Sequence, residues 1–320
     1  MQYAIHELYS LVRSLGSPFS DRSPKARYLC ALVSELAYHH IPNWEIDDKK
    51  RAKLIPSEAY QELFAEGRAT DIRQAFQQLD LPNGFVVEDR GVVSTGVVID
   101  KLLFIGFRGT QFLFDWKVNL TARLAPITPR FRMRPASIYS TLGGGLHSGF
   151  AEEAIRISSK ISDAISDAGL SDIEHVFLTG HSLGGAVAAI SENFLRLGPT
   201  SVIIFGAPRY ADLAAYFSMQ WSPPTQIRRP YDVVPTIPPR FFGYADHPYE
   251  FATNGTAYVD PNIKNSMLGE IKRWIQFLAR RIEPHSMESY RREVGLGAGA
   301  VGSNLPLVPI RKLTINDIVD

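Results

Sequence analysis

The stretch Val176–Ile190, VFLTGHSLGGAVAAI, constrains the fold more than any other part of the chain. It begins as a short apolar run, passes through glycines and resumes as a small-residue helical pattern. Within it, Gly180-His181-Ser182-Leu183-Gly184 fits G-x-S-x-G, where a serine occupies a tight, strained turn between a strand and a helix. Side chains at the two glycine positions of such a turn would meet neighbouring backbone. The following helix aims backbone N–H groups at the space above the serine. HVFLT before the turn reads as a strand and LGGAVAAISENFLRL after it as a helix, so Ser182 is a candidate nucleophile. The alternative is an ordinary serine in a glycine-rich turn. His181 reads as structural, because neighbouring side chains leave so tight a turn in different directions.

The rest of the chain alternates in the way this turn requires. HVFLT, TSVIIFG and TQIRRPY are strand candidates separated by helical segments, which predicts an α/β fold with a mostly parallel central sheet. AEEAIRISSKISDAISDAGL reads as a helix with Ile161, Ile165 and Ala168 on one face and Gly169 at its stop. FVVEDRGVVSTGVVIDKLLFIGF is rich in Val, Ile and Phe, and Asp100–Lys101 between two runs predicts a hairpin. Part of the sheet is therefore expected to be antiparallel. The first 80 or so residues read as helical: ARYLCALVSELAYHH, with Leu29, Leu32, Val33 and Leu36 on one face, then SEAYQELFAEG and TDIRQAFQQLD. Near the other end, MLGEIKRWIQFLARRI has an apolar stripe of Ile271, Ile275, Leu278 and Ile282, expected to cover the core. Trp274 and Phe277 beside Lys272, Arg273, Arg280 and Arg281 allow a membrane-touching reading of the same helix.

Composition narrows the classes. With 320 residues, 45% of them hydrophobic, the chain can bury a sizeable core. A formal charge of +1 without a dominant basic block argues against nucleic acid as a partner. A single cysteine, Cys30, excludes an intramolecular disulfide and a cysteine-rich zinc site. The first residues, MQYAIHELYSLVRSLGSPFS, lack the order of a signal peptide, and no apolar run approaches the ~20 residues needed to span a bilayer. The expectation is a soluble chain, cytoplasmic or exported without a recognisable signal peptide. Oligomeric state is not legible.

A nucleophilic serine needs an acid, a base and oxyanion donors. Where this turn carries a nucleophile, the acid and base follow it in the order Ser, Asp or Glu, His. Asp232 comes just after the strand candidate TQIRRPY begins to turn, and strand carboxyl ends are where such groups belong. Asp246 and Asp260 are its rivals, in segments that read as loops. Of the downstream histidines, His285 lies in the loop EPHSMESY, from which an imidazole can reach a serine while its second nitrogen faces an aspartate. His247, ahead of an apparent strand, reads more simply as a packing residue. Thr110, where the strand KLLFIGF passes into RGT, stands where a further oxyanion donor is needed.

These pieces together resemble a known family. FRGT followed by DW and NL, then HSGF, GHSLGGA, GAPR, YDVVPTIPP and HSMESY, resembles in content and order the class 3 (fungal-type) lipases of the α/β-hydrolase fold. The resemblance runs from about Phe107 to Tyr290. It implies a triad of Ser182, Asp232 and His285, with Thr110 and the Leu183 N–H as the oxyanion hole and Asn119 supporting the Thr110 hydroxyl. It implies a lid in QFLFDWKV, where Phe112, Leu113, Phe114 and Trp116 are strongly apolar. The implied activity is hydrolysis of acylglycerol esters through an acyl-enzyme, with no metal or cofactor. Phospholipase A, short-chain carboxylesterase and a non-catalytic lipase-like binding module are the alternatives. The partner is a lipid or small ester, with peripheral contact at a lipid interface. The expected organisation is one α/β-hydrolase domain over residues 1–320, with a helical N-terminal addition (1–80), a catalytic core (81–292) and a Gly/Pro-rich tail (293–320).

Overall fold

The computed structural model describes residues 23–39, 84–89, 92–108, 124–126, 144–195, 197–219, 224–259, 267–278 and 284–300. SEAYQELFAEG, TDIRQAFQQLD, Thr110, Phe112, Leu113, Phe114, Trp116, Asn119, Asp260 and Ile282 lie outside the described residues.

Helix α1 (Pro24–Leu36) starts where Ser23 caps it, accepting the Ala26 N–H at 3.4 Å, with Pro24 in the first turn where no N–H is missed. Strands β1 (Phe85–Asp89), β2 (Val92–Ile99) and β3 (Leu102–Phe107) follow as an antiparallel meander. The turn between β2 and β3 is the expected Asp100–Lys101 pair, with Asp100 at φ 53°. Short strands β4 (Leu124–Pro126) and β5 (Gly145–His147) form a separate ribbon. Helix α2 (Ser148–Asp167) ends in a Schellman arrangement: Gly169 at φ 64° turns the chain, and Leu170 N–H bonds Ile165 O at 3.2 Å. Then come β6 (His175–His181), α3 (Leu183–Ser191), β7 (Thr200–Phe205), α4 (Leu213–Met219), β8 (Thr225–Arg228) and β9 (Glu250–Ala252). Helices α5 (Met267–Leu278) and α6 (Met287–Gly297) complete the described elements.

The main sheet has the order β1-β2-β3-β6-β7-β8-β9, parallel from β3 to β9. This is a mostly parallel α/β sheet flanked by helices, with the antiparallel edge that the hairpin required. Because strand side chains alternate, Leu103, Ile105, Val176, Leu178, Val202 and Ile204 face α2 and α3. Phe104, Phe177, Ile203, Phe205 and Ile227 face α1 and α6 instead. β6 is buried along its whole length, as a strand covered on both faces must be.

Two expectations are corrected. The predicted stripe of α5 is not the buried one: Ile275 is 58% exposed, whereas Phe277 is buried and Trp274 packs against the core. The helix is rotated so that Glu270, also buried, meets Arg209 at 3.2 Å. That pairing outranks the choice between two apolar faces. Trp274 and Phe277 therefore serve the core rather than a membrane-touching cap. Nor does the chain become a loose tail at residue 293: α6 runs through to Gly297, because Tyr290, Arg291 and Val294 are buried against α1. Arg291 Nε meets Glu35 Oε2 at 2.5 Å inside that contact. Among the described residues, no helix is long and apolar enough to cross a membrane.

Candidate active site

β6 delivers the chain to Ser182 and α3 carries it away. Ser182 stands at φ 62° and ψ −135°, a conformation that a residue with a Cβ adopts at a cost of roughly 1–3 kcal/mol. Its N–H is held by Phe205 O at 2.9 Å, which pins the strained residue to β7. Its hydroxyl does not cap α3, although serine commonly does so at a helix start. The glycines of G-x-S-x-G fit because backbone crowds them. A Cβ on Gly180 would lie 2.5 Å from Gly184 C, and one on Gly184 would lie 2.7 Å from Arg108 C. The end of β3 thus lies against the first turn of α3. Leu183 opens that turn, where a helical N–H has no intrahelical acceptor.

Asp232 is buried in the loop after β8. Its Oδ1 accepts the Val234 N–H at 3.0 Å. Its Oδ2 takes the Tyr290 hydroxyl at 2.6 Å and His285 Nδ1 at 2.8 Å. Burial alone would raise this carboxyl. The neighbouring His285, its hydrogen bond and those of Tyr290 and Val234 outweigh burial, and the group is held below the usual carboxylate range. An ionised carboxylate can only accept, so His285 Nδ1 carries the proton and Nε2 is left as the basic nitrogen of the neutral ring. His285 stands at the serine turn: the ring of His181, adjacent to Ser182 in the chain, lies 4.3 Å from that of His285.

The other candidates are placed elsewhere. His247 is buried between Tyr210 and Tyr216, accepts the Tyr249 N–H at 3.2 Å, and is pushed down to about 3 by burial. Asp246 is tied to Arg209 at 2.5 Å and to Arg240, away from His285. His181 is buried, bonded through Nδ1 to the Tyr38 hydroxyl at 2.8 Å, and held well below 6.5 by burial and then by His285. A proton-accepting role at neutral pH is closed to it, yet it packs directly on His285. Among the described residues, no cluster of three His, Cys, Asp or Glu side chains is arranged to hold a metal ion.

Sequence reasoning missed two members of this site. Tyr290 is within the quoted HSMESY, and a phenol one helical turn after a candidate base was a usable signal. Gly206, in GAPR, stands at φ 54° under the site, where a Cβ would be 2.8 Å from both Asp232 Oδ2 and Tyr290 Oη.

The sequence model of the class 3 lipases matches residues 104–242, which include the end of β3, the Ser182 turn and Asp232. Over those residues the chain is similar to the class 3 lipases. His285 lies beyond the matched stretch and joins it through Asp232. A secreted mono- and diacylglycerol lipase of Fusarium solani is 33% identical over 197 residues, covering 59% of this chain and 55% of that protein. A lipase of Rhizomucor miehei is 26% identical over 155 residues, covering 45% of this chain and 40% of its own. The chain thus spans about half the length of the curated relatives it matches. The crystal structure of a lipase from Rhizopus microsporus var. chinensis overlays with a TM-score of 0.42 at 21% identity, over 67% of this chain and 76% of that one.

Proposed function

We propose that this chain is a serine hydrolase of the class 3 lipase type, acting on acylglycerol carboxylic esters through an acyl-enzyme. The observation that carries the reading is the buried Asp232 bonded at 2.8 Å to His285, beside a strained serine turn. His285 Nε2 takes the proton of Ser182 as Oγ attacks the ester carbonyl. Asp232 keeps the imidazole in the right tautomer and stabilises it once charged. The oxyanion is received by the Leu183 N–H and by Thr110, with Asn119 holding the Thr110 hydroxyl. The contact between Gly184 and the carbonyl of Arg108 supports Thr110 in this role, since it brings the chain leading to Thr110 to the serine turn. His285 then protonates the leaving alcohol, and water releases the acid by the reverse steps. None of these steps calls on a metal or cofactor.

The acylglycerol class is supported by the Fusarium relative, a mono- and diacylglycerol lipase. Phe112, Leu113, Phe114 and Trp116 are proposed as the lid, whose opening at a lipid interface would admit substrate. Residues 1–320 are read as one domain, supported by the core that α1 shares with α6. Cytoplasmic residence belongs to the same reading and is supported by the buried free thiol of Cys30.

The test is fluorophosphonate labelling together with hydrolysis of p-nitrophenyl esters of increasing chain length, above and below the solubility limit. Ser182→Ala should abolish labelling and lower turnover by about 10⁶-fold. Equal rates for parent and variant would remove Ser182 from the mechanism. Saturation on short esters, with no gain at an interface, would move the substrate class to small carboxylic esters. A parent chain that took no label would leave a binding module.

A further inference from the structure

Asp232 and His285 come from segments far apart in the chain, and one residue binds both. Arg229 follows β8 directly, three positions before Asp232. Its Nε and Nη2 meet Glu293 Oε1 on α6 at 2.8 and 2.7 Å. Its Nη1 donates to the carbonyl of Pro284, the residue that precedes His285. Its backbone N–H donates to Tyr290 Oη at 3.1 Å, the hydroxyl that itself donates to Asp232. Glu293 Oε2 is occupied in turn by the Thr253 hydroxyl at 3.0 Å, beyond β9. The chain carrying the base is therefore gripped just before His285 and again one and two helical turns after it. All of these grips originate in one residue of the acid's own loop.

The Arg229 and Glu293 side chains are 18% and 35% exposed, so solvent screens their attraction and they add little to overall stability. What the arrangement supplies is geometry. Divergent N–H groups on a planar fork reach a carbonyl and a carboxylate together, which a lysine ammonium on a flexible stem does not reproduce. A base displaced by about 1 Å loses on the order of 10²-fold in rate.

We propose that Arg229 is a positioning residue that sets the register of the His285 loop against Asp232. This rests on the hydrolase reading above. Arg229→Ala should lower kcat on a soluble p-nitrophenyl ester by about 10- to 100-fold while KM stays within about twofold. Phosphonylation of Ser182 by a fluorophosphonate should slow by the same factor, because it uses the same base. Millimolar guanidinium chloride should restore part of both rates in Arg229→Ala and none in Arg229→Lys. The lysine variant should fold as the parent does and still lose several-fold in kcat. It carries the comparison by itself should Arg229→Ala fail to fold. A folded variant with kcat within twofold of the parent overturns the proposal, as does a loss that appears only with a lowered melting temperature and is not rescued. A parent chain without Ser182-dependent labelling takes down the hydrolase reading, whereas a labelled parent with unaffected variants removes only the role of Arg229.

Discussion

Tyr290 donates its hydroxyl to Asp232 Oδ2 at 2.6 Å, on the same carboxylate oxygen that receives His285 Nδ1. Asp232 thus has two donors on one oxygen, both from the segment that carries His285. Tyr290→Phe removes one of them and also takes the acceptor from the Arg229 N–H. A buried, charge-assisted bond of this kind contributes about 2 kcal/mol, so the variant should unfold that much more easily at pH 7. Asp232 is held below 3.8 in the folded chain, so its contribution is full above that value and is lost as pH falls through the folded pKa. The gap between parent and variant should therefore persist at pH 4, begin to shrink below 3.8 and close only in stronger acid. Urea midpoints followed from pH 7 down to about pH 2 measure it; a gap that widened in acid would contradict the assignment.

Gly206→Ala tests how tightly the site is built. The new methyl would be 2.8 Å from Asp232 Oδ2 and 3.1 Å from His285 Cε1, at a φ of 54° that alanine resists. Neither neighbour can retreat without lengthening the bond between them. We expect kcat to fall by about 10²-fold and stability by about 1 kcal/mol or more. Retention of parental kcat would mean that the acid–base pair tolerates displacement.

His247 should make the chain acid-sensitive without touching catalysis. It is neutral in the fold, with its pKa lowered from 6.5 to about 3, and it binds a proton once unfolded. Stability should decline as pH drops below 6.5 and level off near 3, with about 2 kcal/mol lost from this site by pH 5. Asparagine can still accept the Tyr249 N–H but does not titrate. His247→Asn should flatten the slope of unfolding free energy between pH 6.5 and 5; an unchanged slope would place the acid sensitivity elsewhere.

Arg209 should be costly to remove. It bonds Asp246, Glu270 and the carbonyls of Thr236 and Pro238, joining the loop after Asp232 to α5. Arg209→Ala leaves Glu270 buried beside a vacated site, which should destabilise the fold by about 3–5 kcal/mol. Amide exchange over Met267–Leu278 should accelerate in the same variant. A loss under about 1 kcal/mol would show that the network is dispensable.

What the sequence disclosed and what it hid divide along a physical line. The Ser182 turn, the Asp100–Lys101 hairpin and the Gly169 stop follow from local rules of spacing and glycine placement, so they could be read directly. Asp232 could be placed by its position at a strand end, and His285 by its loop and its order after the serine. The inward face of α5 could not, because its rotation answers to Arg209, a partner 61 residues away. Tyr290, Arg229 and Gly206 were hidden for a similar reason. Each acts across elements whose meeting depends on the whole sheet, and no periodicity marks such a meeting.

The pairing of α1 with α6 has a consequence for synthesis. Glu35 and Arg291 meet in the core although 256 positions separate them, and Tyr290 in the same helix completes the setting of Asp232. A ribosome releases the serine turn more than a hundred residues before His285. Until then Glu35 and the part of α1 that Tyr290 and Val294 cover lack their partners, and Asp232 lacks both of its side-chain donors. The α1–α6 contact and the setting of Asp232 therefore form in one late event.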